Sequence, residues 1–442
     1  MGPPVATIPK ASRLTTTNRA ELRVPFGSDG QSTPLPGTAR RLHTSLRCRT
    51  AEQTIAHAQR LMPRLGVSQV FDATPLDHLG LPVFMSVRPG GSTIRVHSGK
   101  GMRPDDAQAG AWMEAVEYAA CESASKVCVT ERRTLSQLRQ QWPPGLAAVD
   151  FAPRLGASVG RRTKLTAVEC EILGTRRSTF LPAELVLMPA PKKRAQGLFA
   201  SSSNGLASGN TLSEATLHAL LEVMERDTVA LHIARDESQP VLKDSLPAPF
   251  SGLRLRWARR GVRLIVRHLP NDAGLPCFEA ALHEPAADPS MLLARGWGMH
   301  FDRQMALSRA ICEAAQSRLA VVLSQHTELA GSKEMAKRLA PGTDPANMAQ
   351  LLTRLRRATG AVRFEALPDL PCPSIGDALR QLLSRLARAG LGPVFRKRLH
   401  LNGDSSALCG LHVVKVVVAR SETTNGKETR IGPRLFARIQ GA

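Results

Sequence analysis

The stretch SSNGLASGNTLSEATLHALLEVMERDTVALH, Ser202 to His232, places the tightest limit on how this chain can fold. Its apolar residues recur at helical spacing, and Leu217, Leu220, Leu221, Val223 and Met224 fill one side. At about 100° per residue, Glu214, Glu222 and Glu225 fall within an arc of roughly 80° on the other side. Three acids with no lysine among them repel one another unless water or a cation lies between them. The acidic stripe is set in a chain of 442 residues whose formal net charge is +22.

A second acidic pair lies upstream. In the Ala-rich stretch DDAQAGAWMEAVEYAACESA, opened by Asp105 and Asp106, Glu114 and Glu117 are three residues apart and about 60° apart around a helix axis. Ala107, Ala111 and Cys121 share that face, and such small neighbours imply close packing around the carboxylates. One such pair on a helix is ordinarily solvated surface. Two acidic stripes on two otherwise apolar helices offer five carboxylates, with Arg226 the one cation at their edge. Buried like charges need a counter-charge, and oxygen-only ligands select a hard cation, Mg2+ or Ca2+. Mg2+ keeps waters and takes a few carboxylates plus substrate phosphates, which points to metal-bridged nucleotide binding. Asn210, Arg226, Lys100 and Arg318 are then the candidates to meet phosphate or base. SGKGM lacks the first glycine and trailing hydroxyl of a Walker A loop, and the protein-kinase motif set is missing. An ATP site here has to be built from helices and carboxylates.

Competing chemistries find less in the chain. Glu214 and His218 are four apart and could form a Glu/His ligand pair, but the repeated ExxH of a dinuclear carboxylate centre is missing, so His218 reads as a polar-face helix residue. The surplus of arginine favours polyanionic partners. Nucleic-acid binding would want aromatics interleaved with basic patches, and Trp112, Trp142, Trp257 and Trp297 are dispersed, so no nucleic-acid partner is expected. Without an apolar run of membrane-spanning length or a signal-peptide core, no membrane association is expected. Eight scattered cysteines without a CxxC read as reduced thiols. Together these features lead to the expectation of a cytoplasmic protein.

Residues 1–45, rich in Pro, Thr, Gly and Arg, read as a mobile segment. From Thr50 a helical pattern runs to a stop at Gly66. Hairpins follow, turning at Pro89-Gly90-Gly91 and near Gly174. Beyond the acidic-stripe helix come strands in RLIVRHL and CFEAALHE, a helix through MALSRAICEAAQSRLAVVL, a polar helical stretch over 330–360, and a closing helix–strand–strand unit. The mixture predicts an α+β fold with mixed or antiparallel sheets and helices around a cleft. The division expected is a mobile 1–45, an ATP-binding core over 46–330, and an α/β portion of the same domain over 331–442.

These motifs resemble the YcaO family of ATP-dependent enzymes that activate peptide backbone amides. The likeness runs from about Arg40 to Arg318, and more weakly to the C-terminus. Its strongest part is SNGLASGNTLSEATLHALLEVMERD, where Asn210, Glu214, Glu222, Glu225 and Arg226 keep the family's order and spacing. The second is Gly99 to Gly101 followed by Glu114 and Glu117, and the third is AICEAAQSRL with Glu313, Gln316 and Arg318. The resemblance implies ATP and Mg2+ as cofactors, with Glu114, Glu117, Glu214, Glu222 and Glu225 holding the metal. It implies nucleotide contacts from Asn210, Arg226 and Arg318 and, matching through Leu65-Gly66, from Arg47 and Thr54. Glu222, Glu225 and Arg318 are its expected catalytic residues.

The implied reaction begins when a nucleophile adds to a peptide amide carbonyl, after which the former carbonyl oxygen takes a phosphoryl group from ATP. Phosphate leaves far more readily than oxide or hydroxide, so catalysis is positioning and charge neutralisation. A Cys, Ser or Thr side chain as nucleophile gives an azoline, sulfide a thioamide, and an amine an amidine. Azoline-forming members commonly carry a Pro-rich tail near the site, whereas this sequence closes with RLFARIQGA. The framing sequences LDHLGLPVFMSVRP, SSNGLASGN and VVKVVVA resemble the branch that works with a TfuA partner in thioamidation. Two departures stand out: AVVLSQHTELAGS replaces a Gly-Ser-Arg-Asp-like turn, and Tyr118 replaces a frequent Arg after ExxE. The expectation is a thioamide-forming enzyme with a peptide substrate and a TfuA-like sulfur-handling partner. An azoline-forming cyclodehydratase is the runner-up, a degenerate peptide-binding module the third reading, and a homodimer is compatible with each.

Overall fold

Helix α1 (Ala51–Gln59) starts where the sequence placed it. Thr50 caps it through a reciprocal box, its hydroxyl accepting from Gln53 N at 3.3 Å while the Gln53 side chain accepts from Thr50 N at 3.1 Å. The single helix expected from Thr50 to Gly66 is in fact two. Pro63 cannot donate to the α1 ladder, so a short α2 (Met62–Leu65) starts afresh, and Gly66 ends it at a φ of 66°. The computed structural model describes residues 40–41, 45–158, 160, 162–190, 197–286, 293–325, 345–423 and 430–441. Most of the segment 1–45 and the first half of the polar stretch 330–360 therefore lie outside the described residues.

Every pairing between the strands named here is antiparallel. A two-stranded ribbon, β1 (Arg40–Arg41) with β2 (Leu46–Arg47), precedes a three-stranded meander of β3 (Gln69–Asp72), β4 (Val83–Val87) and β5 (Val96–Lys100). The central sheet joins β6 (Glu131–Thr134), β7 (Lys164–Ile172), β8 (Ser178–Pro182) and β9 (Leu206–Gly209) to two strands from far along the chain. The other sheet is β10 (Gln239–Pro240), β11 (Arg263–His268), β12 (Cys277–His283) and β13 (Leu293–Met299). The two late strands are β14 (Val394–Leu399) and β15 (His412–Val418), and they lie between β7 and β9 in the central sheet.

The remaining helices are α3 (Pro104–Val127), α4 (Leu135–Gln141), α5 (Ala183–Val186), α6 (Leu212–Ala234), α7 (Ala248–Ala258), α8 (Arg303–Gln325), α9 (Pro345–Arg356), α10 (Ile375–Arg388) and α11 (Pro433–Gln440). Strand β15 shows why the central sheet reads as a nearly continuous valine run. Val414, Val416 and Val418 pack against Leu217, Leu220 and Met224 of α6 and Leu382 of α10. Val413 packs on the other side with Trp112, Val116 and Ala120 of α3. Helices on both faces leave no solvated side for polar alternation. A third core gathers Phe278 and Leu282 of β12, Trp257 of α7 and Ala310 of α8. Among the described residues, no helix is long and apolar enough to cross a membrane.

Candidate active site

Helix α3 lies directly on β5. A Cβ added to Gly99 would stand 2.0 Å from Ala107 O and 2.1 Å from Ala111 N, so the first glycine of SGKG sets how near helix and strand can come. That contact uses the small residues the sequence placed beside Glu114 and Glu117. Opposite α3 run α6 and α8, and the three helices, with β5 and the start of α1, enclose a cavity of about 410 Å³. All five predicted glutamates line it, together with Arg47, Thr54, Asn210, Arg226 and Lys100.

At one end, Glu214 accepts from Arg47 Nη1 and Cys48 N at 3.0 Å, and from Asn210 N and Nδ2 at 3.2 Å. Asn210 Nδ2 also donates to Thr54 Oγ1 at 3.1 Å. Arg47 from the ribbon thus meets Glu214, and Thr54 from the capped start of α1 meets Asn210. Burial works to lift the Glu214 carboxyl, but the Arg47 guanidinium and the surrounding N–H groups hold it below its ordinary value. Between Glu214 and Glu222 sits His218, whose Nδ1 is 3.4 Å from Arg47 Nη2. Burial and the nearby Arg47 push its imidazole well below the usual range, so it is neutral at pH 7.

In the middle, Glu114 accepts from Ser98 N at 2.7 Å, and Glu117 accepts from Ser208 N at 2.8 Å and Ser208 Oγ at 2.7 Å. Glu225 accepts from Met299 N at 3.0 Å. Glu114, Glu117 and Glu222 are half-buried in the cavity wall. Burial pushes the Glu114 carboxyl up to about 7 and the Glu117 carboxyl up to about 8, the latter with help from Glu114 and Glu222. Burial lifts Glu222 as well, against the pull of Arg226.

At the far end, Glu313 of α8 takes Lys100 Nζ at 2.9 Å and Arg226 Nη2 at 3.4 Å. Burial opposes its ionisation, but these two cations outweigh burial and hold it well below the usual range. Arg309 Nη2 stands 3.9 Å from Glu225, and Gln316 Nε2 donates to Ser98 O at 2.8 Å. Three cations thus face a row of partly protonated carboxylates across one cavity.

The donor set fits a hard divalent cation. The uncompensated carboxyls held up by burial are all oxygen donors, and a bound dication would draw them back to the ionised form. Among the described residues, no three His, Cys, Asp or Glu side chains converge to cage an ion unaided. Mg2+ does not need such a cage, since it completes its shell with phosphate and water. Glu214, already accepting four hydrogen bonds, bears more directly on Arg47 and Asn210 than on a metal.

Arg318 does not join the others. It is 3% exposed and points away from the cavity, with Nε 3.1 Å from Asp77 and Nη1 2.6 Å from Glu284. The arginine of α8 that lines the cavity is Arg309, which sequence reasoning did not select. Helical spacing carried the signal. Relative to Arg309, Glu313 and Gln316 lie about 40° and 20° around the axis, whereas Arg318 lies about 180° away.

Comparisons with known proteins bear on this site. A family model described as YcaO cyclodehydratase, ATP- and Mg2+-binding, matches residues 98–422. A protein of Methanothermobacter thermautotrophicus is 29% identical over 85% of this chain and 94% of its own length. One from Rhizobium leguminosarum bv. trifolii, described as lying in the region 3′ of tfuA, is 30% identical over 89% of this chain and 93% of its own. Among solved structures, YcaO from Methanopyrus kandleri bound with AMPPCP and Mg2+ matches with a TM-score of 0.67 at 24% identity, covering 89% of this chain and 100% of that one. A heterocyclase in complex with substrate and cofactor matches with a TM-score of 0.68 at 24% identity, over 88% of this chain and 54% of that one. This chain therefore spans about half of the heterocyclase's length.

Proposed function

The chain belongs to the YcaO family, and from that premise we propose that it activates a peptide backbone amide by phosphorylating the amide oxygen, yielding a thioamide with the help of a TfuA-like partner. Its cofactors are ATP and Mg2+, as the family description states. When bound, they supply the phosphoryl group and the positive charge that neutralises it. The observation that carries this reading is the gathering of Glu114 and Glu117 of α3 with Glu214, Glu222 and Glu225 of α6 in one cavity that also holds Lys100, Arg226 and Arg309.

Each end of the cavity then has its own task. Arg47 and Asn210, both bonded to Glu214, and Thr54, bonded to Asn210, form a polar end suited to holding the nucleotide. Glu114, Glu117, Glu222 and Glu225 are the groups to hold Mg2+, with Glu214 at the margin of that set. Lys100, Arg226 and Arg309 meet the phosphoryl charge, and their pairing with Glu313 and Glu225 keeps them aimed before substrate arrives. Arg318 has no part in this, since its guanidinium is spent on Asp77 and Glu284. Support for a TfuA-like partner comes from the relative described by its place beside tfuA.

Mass spectrometry of a candidate precursor peptide, incubated with the protein, MgATP, a sulfide source and the partner, tests the proposal. Oxygen-to-sulfur exchange adds about 16 Da and azoline formation removes about 18 Da, with ATP serving as phosphoryl donor in both. A gain that disappears in Glu222→Gln is the expected result. A loss of mass would make the product an azoline, and MgATP binding without any peptide change would favour a peptide-presenting module.

A further inference from the structure

Lys415 stands in the middle of β15, within the run VVKVVV. It is 4% exposed, and no described carboxylate forms an ion pair with it. Its Nζ donates instead to two backbone carbonyls, Ser202 O at 2.6 Å and Asn204 O at 2.5 Å. The carbonyl between them, Ser203 O, accepts from Leu206 N at 2.7 Å, and Gly205 O accepts from Val416 N at 2.8 Å. Four consecutive carbonyls are thus assigned, two of them to one ammonium. Drawing alternate carbonyls toward β15 leaves the residue between them facing the other way, and Ser203 lines the acidic cavity beside Tyr118, the neighbour of Glu117. A methionine of similar length could fill this space among the valines with no charge to desolvate. What the ammonium adds is its grip on the turn, with a longer-range pull on Glu222 that an arginine would share.

We propose that Lys415 is a positioning residue of the active site: by holding the carbonyls of Ser202 and Asn204 from behind, it sets Ser203 into the cavity wall next to the metal-binding carboxylates. This rests on the reading of the cavity as the site of phosphoryl transfer. Arg47, Thr54 and Asn210 lie at one end of the cavity whereas Ser203 stands beside its middle carboxylates, so Lys415 acts on turnover and leaves nucleotide affinity almost unchanged.

Two readouts on Lys415→Met and Lys415→Arg decide the matter. Amide hydrogen exchange across residues 202–206 accelerates in the Met variant and stays near wild type in the Arg variant, which keeps donors for both carbonyls. With thermal stability preserved, the Met variant loses kcat by at least about tenfold, as displaced active-site groups do, while its KM for ATP stays within about threefold. The Arg variant recovers most of the rate. Should the Met variant not fold, Lys415→Gln, with a shorter side chain and a neutral donor, carries the same comparison. Unchanged exchange, unchanged kcat, or an equal loss in Met and Arg variants overturns the proposal. Hydrogen exchange and MgATP binding need no peptide, so a wild-type protein that modifies no peptide would count against the proposed reaction while the grip of Lys415 is still read directly.

Discussion

Arg309 and Arg318 lie nine residues apart on one helix and have opposite surroundings. Arg309 faces the cavity at 3.9 Å from Glu225, whereas Arg318 is enclosed by Asp77 and Glu284. The same substitution should therefore read out differently at the two positions. Arg309→Ala removes a cation from the phosphoryl end and leaves a partly exposed gap, so turnover falls by about 10²-fold, the usual cost of losing one transition-state donor, with little change in unfolding by urea. Arg318→Ala strands two carboxylates in a buried setting and costs about 3–5 kcal/mol of stability. Equal stability losses at both positions would remove the distinction. Other single residues were legible in the sequence because chemistry forced their types. Thr54 and Asn210, though 156 residues apart, were both selected and now share a hydrogen bond at 3.1 Å. Lys415 was not legible, because nothing in VVKVVV tells that the lysine turns inward to two carbonyls.

Among the elements, α3, α6 and the hairpins β4–β5 and β7–β8 announced themselves through long periodic runs or glycine-marked turns. Strand β13 did not, since LARGWGM sets glycines at alternate positions and glycine weakens a strand signal. Those glycines face α8. A Cβ on Gly296 would stand 2.2 Å from Ala314 N, and one on Gly298 would stand 2.2 Å from Ala306 O and 2.7 Å from the Arg309 Cβ. The residues that blur the strand are those that let a helix backbone rest on it, as Gly99 does for α3. Gly298→Ala must therefore lift α8 from β13 at the turn that carries Arg309. Overpacking of this kind costs about 1–3 kcal/mol or more. The expected outcome is a lowered Tm together with weakened MgATP binding, read by differential scanning fluorimetry and calorimetry. A variant as stable as the parent with full affinity would mean that α8 can shift without disturbing the cavity.

For the whole molecule, a formal net charge of +22 coexists with an acidic cavity assembled from α3, α6 and α8, and the titration of that cavity should be visible in overall stability. Glu114 and Glu117 have folded-state values of about 7 and about 8, above their ordinary 4.5, because burial favours the neutral acid. The folded chain then binds more protons than the unfolded chain between those limits, so stability falls as pH rises. Their contribution is fully present below about pH 4.5 and is lost by about pH 8. The buried imidazoles of His97 and His268, held down to about 4 by burial, work in the opposite direction, but only below their ordinary 6.5. The window free of that opposition runs from pH 6.5 to 8, where the metal-free protein should show a falling Tm. Mg2+ with ATP needs the ionised carboxylates, so its binding expels the protons and tightens across the same window. At ligand about 100 times Kd the gain is roughly 2.7 kcal/mol, enough to reverse the slope. Thermal melts at three pH values, with MgATP and with ATP plus a chelator, check this. A metal-free Tm that rises from pH 6.5 to 8, or a chelator arm that stabilises as well as MgATP, would mean that these carboxylates are not where the metal is held.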